Sequence, residues 1–432
     1  MTGFTVNEDS ELTNKGRAAM PRFYASCPIG SADLVEKELQ DLGLKTGTKT
    51  IGGVVFESNW SGCYKANLYS RYASRILKPL LDFPAYNEDD VYHNILKHDF
   101  TKYITPDQTI AVDAIVKDSS IRDQRFLAMR VKDAIVDQFR DKFGTRPDVS
   151  NDEPDLRIHI RGHKNQFHVA LDTSGHSLFM RGYRGKTGEA PIKENAAAAL
   201  IGFTDWDKKS PILDFFCGSG TILIEAALMA LNIPPGVFRD RYGFMNLKDY
   251  NEDEWLKIIE ESQAQELDGL DFKFYGYDID KKVLQIAKEN AKNAGVLDFI
   301  DFKATPIAVA APPVEIDEAG KTTTIKGMII SNPPYGARLG DEDNLKDVYR
   351  DLGFTLKNRF QNWEAWVLSG NKEIMAEMKL KSTRRVFVMN GNIECRYLKY
   401  EMYAGSQRKE PRNKEPRMRM MKEVEIQPNQ TF

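Results

Sequence analysis

Three short motifs carry residue types that can do chemistry. The first is Asp214-Phe-Phe-Cys217-Gly218-Ser219-Gly220-Thr221. It lies where a hydrophobic strand gives way to a helix. Glycines there let the backbone approach a ligand, and the start of the helix offers unpaired N–H groups. The acid at the strand end can hold an ammonium group or an ordered water of an amino-acid-like ligand. The competing reading is a Gly-rich turn that binds nothing. A bare Gly-x-Gly is a weak signal, which the acid and its register strengthen. The pattern is not G-x-x-x-x-G-K-[ST], so a nucleoside triphosphate is disfavoured. Cys217 reads as a small packing residue, not a nucleophile.

The second motif is Tyr277-Asp278-Ile-Asp280. An acid at the end of the next strand can accept hydrogen bonds from both ribose hydroxyls. A helix cap is the plainer alternative. The spacing from the first motif exceeds the usual ~20 residues, so residues 232–270 are read as an insertion. The third motif is Ser331-Asn332-Pro333-Pro334-Tyr335-Gly336. Its prolines fix the backbone. Asn332 Oδ1 and the Pro333 carbonyl can accept both hydrogens of an exocyclic amine, and Tyr335 offers a ring for a base to stack on. The alternative is a rigid turn with a core tyrosine.

The elements that must position these motifs follow from periodicity. Residues 1–20 read as a flexible leader. Strands are expected at Arg22–Ser26, Val54–Phe56 and Ile76–Leu81, with helices over 34–42 and 64–72, a small α+β module spanning 21–85. A second unit, 86–182, has strands at Ile110–Val116, Leu156–Ile160 and Phe167–Leu171. Its helix Arg122–Phe143 carries an apolar stripe of Leu127, Val131, Ile135, Phe139 and Phe143. Arg181–Glu189 reads as a basic, Gly-rich linker. Beyond it, strands at Ile212–Phe216, Lys273–Tyr277, Phe299–Lys303, Met328–Ser331 and Ala365–Leu368 alternate with helices, the pattern of a parallel sheet covered on both faces. Val386–Met389 and Ile393–Tyr400 are close enough for an antiparallel pair at the edge. Residues 306–325 read as an inserted loop. The fold class is therefore α/β, with the motif-bearing domain at 183–405 and a basic tail at 406–432.

Composition sets outer bounds. The 432 residues include 60 basic and 63 acidic side chains, which excludes a histone-like polycation but leaves room for a local basic surface. No apolar run reaches the roughly 18 residues of a membrane span. The N-terminus has no apolar signal core. Four scattered cysteines and six histidines show no ligand spacing, so no metal is expected. These features lead to an expectation of a cytoplasmic protein with no membrane and no stable protein partner.

Together the motifs resemble the S-adenosyl-L-methionine (AdoMet)-dependent Rossmann-like methyltransferases that modify exocyclic amines. The run APIKENAAAAL, the insertion, NPPYGARLG and NGNIECRYLKYEMY are similar to the bacterial 23S ribosomal RNA guanine-N2 methyltransferase family. The first 180 residues resemble that family's ferredoxin-like plus THUMP module, an RNA-binding unit. Two departures stand out. Phe215 replaces a frequent Pro, and Ala304-Thr305-Pro306 occupies the region where an acid often meets the adenine amine.

The resemblance implies AdoMet as cofactor and large-subunit precursor RNA as partner. Asp214, Cys217, Gly218, Ser219, Gly220, Thr221, Asp278 and Asn332 would line the cofactor. Asn332, Pro333 and Tyr335 would grip the target base. Lys193 and Asn195 fall in a segment that packs beside the cofactor in such enzymes, or on a plain helix surface. Diffuse RNA contact is expected from Arg122, Arg125, Lys132, Arg181, Arg184 and Lys186, and from the tail, where residues 408–422 hold seven basic and two acidic side chains. The activity implied is guanine-N2 methylation of 23S rRNA. Alternatives are a tRNA guanine-N2 methyltransferase, an N6-adenine DNA methyltransferase, or an RNA-binding assembly factor with a dead catalytic half.

Overall fold

The computed structural model describes residues 20–185, 192–316, 320–335 and 342–403. The leader (apart from Met20), Lys186 and the basic tail lie outside them.

The N-terminal half is built as β1 (Arg22–Ser26), α1 (Ala32–Asp41), β2 (Lys45–Thr50), β3 (Gly53–Glu57), α2 (Trp60–Tyr69), β4 (Arg75–Pro84), α3 (Glu88–Ile95), β5 (Thr109–Lys117), α4 (Gln124–Phe143), β6 (Asp148–Val149), β7 (Leu156–His163) and β8 (Gln166–Asp172). The two units read from sequence share one eight-stranded sheet, ordered β2-β3-β1-β4-β8-β7-β5-β6. β4 joins them by pairing with β1 on one side and β8 on the other. α4 starts where the Asp123 carboxylate caps the Arg125 and Phe126 N–H groups and stops at Gly144 with φ 70°, an N-cap acid and a left-handed C-cap glycine. Its stripe is buried from Leu127 to Phe139, but Phe143 is exposed.

The C-terminal half follows as α5 (Glu194–Gly202), β9 (Ile212–Asp214), α6 (Thr221–Ala230), α7 (Glu252–Gln263), β10 (Phe274–Asp278), α8 (Lys281–Asn293), β11 (Ile300–Ala304), β12 (Val314–Ile316), β13 (Thr322–Thr324), β14 (Met328–Ser331), α9 (Glu342–Arg359), β15 (Glu364–Ser369), α10 (Lys372–Ala376), β16 (Arg384–Asn390) and β17 (Ile393–Glu401). Its sheet order is β11-β10-β9-β14-β15-β17-β16. β9, β10, β11, β14 and β15 run parallel, and β17 is antiparallel to both neighbours. The expected loop 306–325 contains the small β12–β13 hairpin. From β9 the chain goes to β10 on one side and later to β14 on the other. That reversal opens a crevice at the carboxyl ends of β9 and β14, the place where open α/β sheets bind ligands.

The insertion after α6 packs on the other half. Tyr242, Phe244, Leu247, Trp255 and Ile258 belong to the N-terminal core. The Phe244 ring lies 4.5 Å from Tyr64, and the Arg239 guanidinium donates to the carbonyls of Ser174, His176, Ser177 and Met180. No helix among the described residues is long and apolar enough to cross a membrane.

Candidate active site

All three motifs meet at the β9–β14 crevice. The strands deliver them because β9 ends at Asp214, β10 at Asp278 and β14 at Ser331. The turn after β9 needs its glycines. Gly218 and Gly220 have φ 51° and 83°, a region L side chains rarely enter. A Cβ on Gly220 would also crowd Ala287 and Phe302 at 3.2 Å, whereas one on Gly218 would meet nothing within 4 Å. The backbone at Gly218 is thus open on its outer side.

The motifs are wired to one another. The Gly218 N–H donates to Asp278 Oδ2 at 3.0 Å, and the Asp280 N–H donates to Asp278 Oδ1 at 3.0 Å. Ser331 Oγ donates to Asp214 Oδ1 at 2.8 Å and accepts from the Phe215 N–H at 2.9 Å. Ser331 therefore ties the first motif to the third. The sequence reading quoted Ser331 and gave it no role. Asn290 of α8 is another residue it missed. Fully buried, it donates to the Ser219 carbonyl at 3.1 Å and holds the glycine turn from behind. An asparagine inside a lysine-rich helix, with another three residues on, carries no pattern that would have marked it.

Burial pushes the Asp214 carboxyl up to about 7, with the nearby Asp278 charge adding to the effect, against the Phe216 N–H and the Ser331 hydroxyl that favour its ionised form. A raised carboxyl binds its proton more tightly folded than unfolded, so the stabilisation is complete below about pH 4 and is lost as pH rises through about 7. Asp214→Asn has no such dependence. Its stability relative to wild type is expected to rise between pH 5 and 8 by on the order of a few kcal/mol, read by denaturant melts at each pH. A flat difference would mean Asp214 is already ionised at pH 5.

Cys217 is buried among apolar neighbours, and burial pushes its thiol well above the ordinary range, as a packing residue requires. Thr221 is buried, and its hydroxyl accepts from Arg184 Nη2 at 2.6 Å. In the third motif, Asn332 Oδ1 is buried without a hydrogen-bond partner among the described residues. Tyr335 is anchored: its hydroxyl accepts from Asn390 Nδ2 at 2.7 Å and from Cys395 Sγ at 3.5 Å. Just after β11, the buried Thr305 Oγ1 also has no partner among the described residues, and the Thr305 N–H donates to the Asp278 carbonyl at 2.9 Å.

Residues 181–399 match the RMKL-like methyltransferase domain, 85–172 the THUMP domain and 22–77 the RlmL ferredoxin-like domain. The chain belongs to the RMKL-like methyltransferase family. The ribosomal RNA large subunit methyltransferase K/L of Shewanella amazonensis is 37% identical over 395 residues, covering 90% of this chain and 54% of that protein. The chain thus spans about half the length of such relatives. The Synechocystis protein named "Putative RNA methyltransferase slr0064" is 36% identical and is covered over 97% of its length, against 88% of this chain. A crystal structure of SMU.472, described as "a putative methyltransferase complexed with SAH", superposes with TM-score 0.79 at 28% identity, covering 90% of this chain and all of that one.

In this member of the RMKL-like family two of the expected RNA contacts are turned inward. Arg181 is 1% exposed. It lies 3.4 Å from Glu225 and donates to the carbonyls of Leu178, Ser70 and Arg71, so it cannot reach a phosphate. Arg184 is 12% exposed. Its guanidinium is engaged by Thr221, the Ile192 carbonyl and Glu194. Arg181 thereby ties Ser70 and Arg71 of the N-terminal half to Glu225 at the seam between the halves, whereas the partners of Arg184 all lie in the C-terminal half. Lys193 and Asn195 are at that seam too. The Lys193 ammonium sits 4.6 Å over Phe179, and Asn195 Nδ2 donates to Ser74 Oγ at 3.3 Å. Arg122 and Arg125 are exposed on α4 or just before it, and Lys132 is ion-paired with Asp133. No cluster of three or more His, Cys, Asp or Glu side chains suited to a metal occurs among the described residues.

Proposed function

We propose that this methyltransferase transfers a methyl group from AdoMet to the exocyclic N2 amine of a guanine in large-subunit (23S) ribosomal RNA. The observation that carries the reading is the buried Asn332 Oδ1, unpartnered among the described residues, an acceptor followed directly by two rigid prolines and the anchored Tyr335. An orphan acceptor costs free energy in a folded protein. It is repaid when an amine N–H arrives.

The residues present fit AdoMet. The bound donor supplies an already activated sulfonium methyl, so the protein's work is mainly positioning. Asp214, poised near neutrality, suits a cationic ligand group. The Gly218 backbone is open to close approach. Asp278 keeps acceptor capacity on both oxygens for ribose hydroxyls. Thr305 offers a free hydroxyl where the family often has an acid toward the adenine. Asn332 Oδ1 and the Pro333 carbonyl take the two amine hydrogens and aim the nitrogen lone pair at the methyl. With AdoMet bound, the methyl would pass from sulfur to this nitrogen, the C–S electron pair staying on sulfur, and the surplus amine proton would leave along its hydrogen bond to the Asn332 or Pro333 oxygen and on to water. Tyr335 presents its ring to the base. Arg122, Arg125 and Lys132 remain candidates for phosphate contact, with the THUMP unit favouring RNA over DNA.

Removing Asp278 should weaken the cofactor before it weakens chemistry. Asp278→Ala also frees the Gly218 N–H, so AdoMet affinity is expected to fall about 10- to 100-fold, measured calorimetrically, with the turnover number at saturating cofactor reduced far less. Unchanged affinity would reject the ribose assignment.

The reading itself is tested by nucleoside mass spectrometry on 23S, 16S and tRNA fractions from cells lacking this protein, beside the parent strain. Loss of N2-methylguanosine from 23S alone supports it. Loss from tRNA moves the substrate to tRNA. No change in any RNA rejects it.

A further inference from the structure

The last sheet edge carries a cation cluster that the crevice does not use. β16 is an edge strand, and Arg385 and Phe387 point to the same face of it. Pairing places Arg385 beside Leu398, and Arg396 between Phe387 and Ser369. α10 covers part of this face, with Ile374 and Met375 packed in the core that also holds Leu398. Between α10 and β16 the sheet is left open. A cavity of about 170 Å³ lies there, lined by Ser369, Lys372, Ser382, Arg385, Arg396 and Tyr400. A second hollow of about 380 Å³ continues outward past Thr383 and Phe387.

Lys372, Arg385 and Arg396 have no ion-pair partner among the described residues, although neighbouring charges do. Arg384 pairs with Asp205 at 3.4 Å, and Glu377 of the segment after α10 is taken by Arg350 at 2.9 Å. Three cations stand around one side of a small cavity whose other wall is apolar, with Met375, Ala376, Leu380 and Leu398, and cations left unpaired by the described residues suit a tetrahedral anion. Phe387 beside them is 55% exposed, with the Arg396 guanidinium 5.9 Å from its ring. An exposed aromatic next to cations is how proteins hold single-stranded nucleic acid.

The cavity is joined to the base motif. Ser369 lines it, and the next residue, Gly370, has no room for a Cβ, which would sit 2.9 Å from the Tyr335 ring. Asn390, at the tip of the same β16 edge, holds the Tyr335 hydroxyl. At its outer side the Phe387 carbonyl abuts Gly30 of the N-terminal half.

We propose that this cavity binds a backbone phosphate of the RNA strand beside the target nucleotide, with Phe387 stacking a neighbouring base; the proposal rests on the RNA substrate argued above. The test uses the full chain and naked 23S rRNA transcript. Wild type is assayed first, and its failure to bind or methylate RNA would reject the RNA reading itself. Given an active wild type, Arg385→Ala/Arg396→Ala is expected to raise the RNA KM about tenfold per cation removed. It should also lower the slope of log affinity against log salt by roughly 0.7 to 0.9 for each phosphate that is no longer neutralised. AdoMet affinity should be kept. Arg385→Gln, at an exposed edge position, gives the same reading in smaller degree if the double variant does not fold. Unchanged KM and salt slope overturn the proposal. A defect seen only on ribosomal particles, and absent on naked RNA, overturns it in favour of a protein partner.

Discussion

Asn332→Ala is expected to lower the methyl-transfer rate about 10²- to 10³-fold while AdoMet affinity is kept. The magnitude is that of removing one preorganised polar group aimed at a reacting atom. Asn332 Oδ1 has no hydrogen-bond partner among the described residues. Its removal therefore leaves no donor stranded, and thermal stability should hold or rise slightly. That combination separates a chemical role from a structural one. Single-turnover assays with radiolabelled AdoMet read the rate, calorimetry reads the affinity, and a melt reads the stability. Equal loss of rate and affinity would make Asn332 a support for the cofactor or the fold. Loss of stability alongside both would point to the fold.

The second large effect is on stability. Arg181→Ala is expected to cost about 3–5 kcal/mol, the usual result of leaving one charge of a buried pair uncompensated. Glu225 has no exposure, and it also accepts from the Tyr183 hydroxyl at 3.1 Å. The same guanidinium satisfies three backbone carbonyls from two segments. A fall in melting temperature on the order of 10 °C should follow. The double change Arg181→Met/Glu225→Leu should recover much of it, because no charge is then buried alone. A single variant as stable as wild type would mean that water reaches Glu225.

Arg181 also shows where sequence reading stops. In RGYRGKTGE it looks like an exposed linker cation. Its partner lies 44 residues on, in TILIEAALMA, where Glu225 is the only charge of a wholly buried helix. A lone acid inside such a helix is itself a sign of a buried partner, but nothing local says which cation it is. The crevice was easier to read. Gly turn, strand-end acid and proline turn are short-range features, and the strand–helix alternation fixed their order in space. β2, with the polar sequence KTGTKT, has no apolar alternation to reveal it. The pairing of β4 with β8 joins residues about ninety positions apart, and no local pattern encodes that. Thr305 and Ser331 gained meaning only from what surrounds them.

The path of the insertion has a consequence for how this chain can be divided. A cut in the linker after Tyr183 separates two sequence units but not two cores. The C-terminal piece would carry Tyr242, Phe244 and Trp255 away from their packing against Tyr64, and the N-terminal piece would keep the hole they leave. Neither fragment is then a self-sufficient folding unit. Exchanging RNA-binding modules between such enzymes should succeed only when residues 232–270 travel with the N-terminal half. The two halves fold as a matched set, and the insertion is the part that enforces the match.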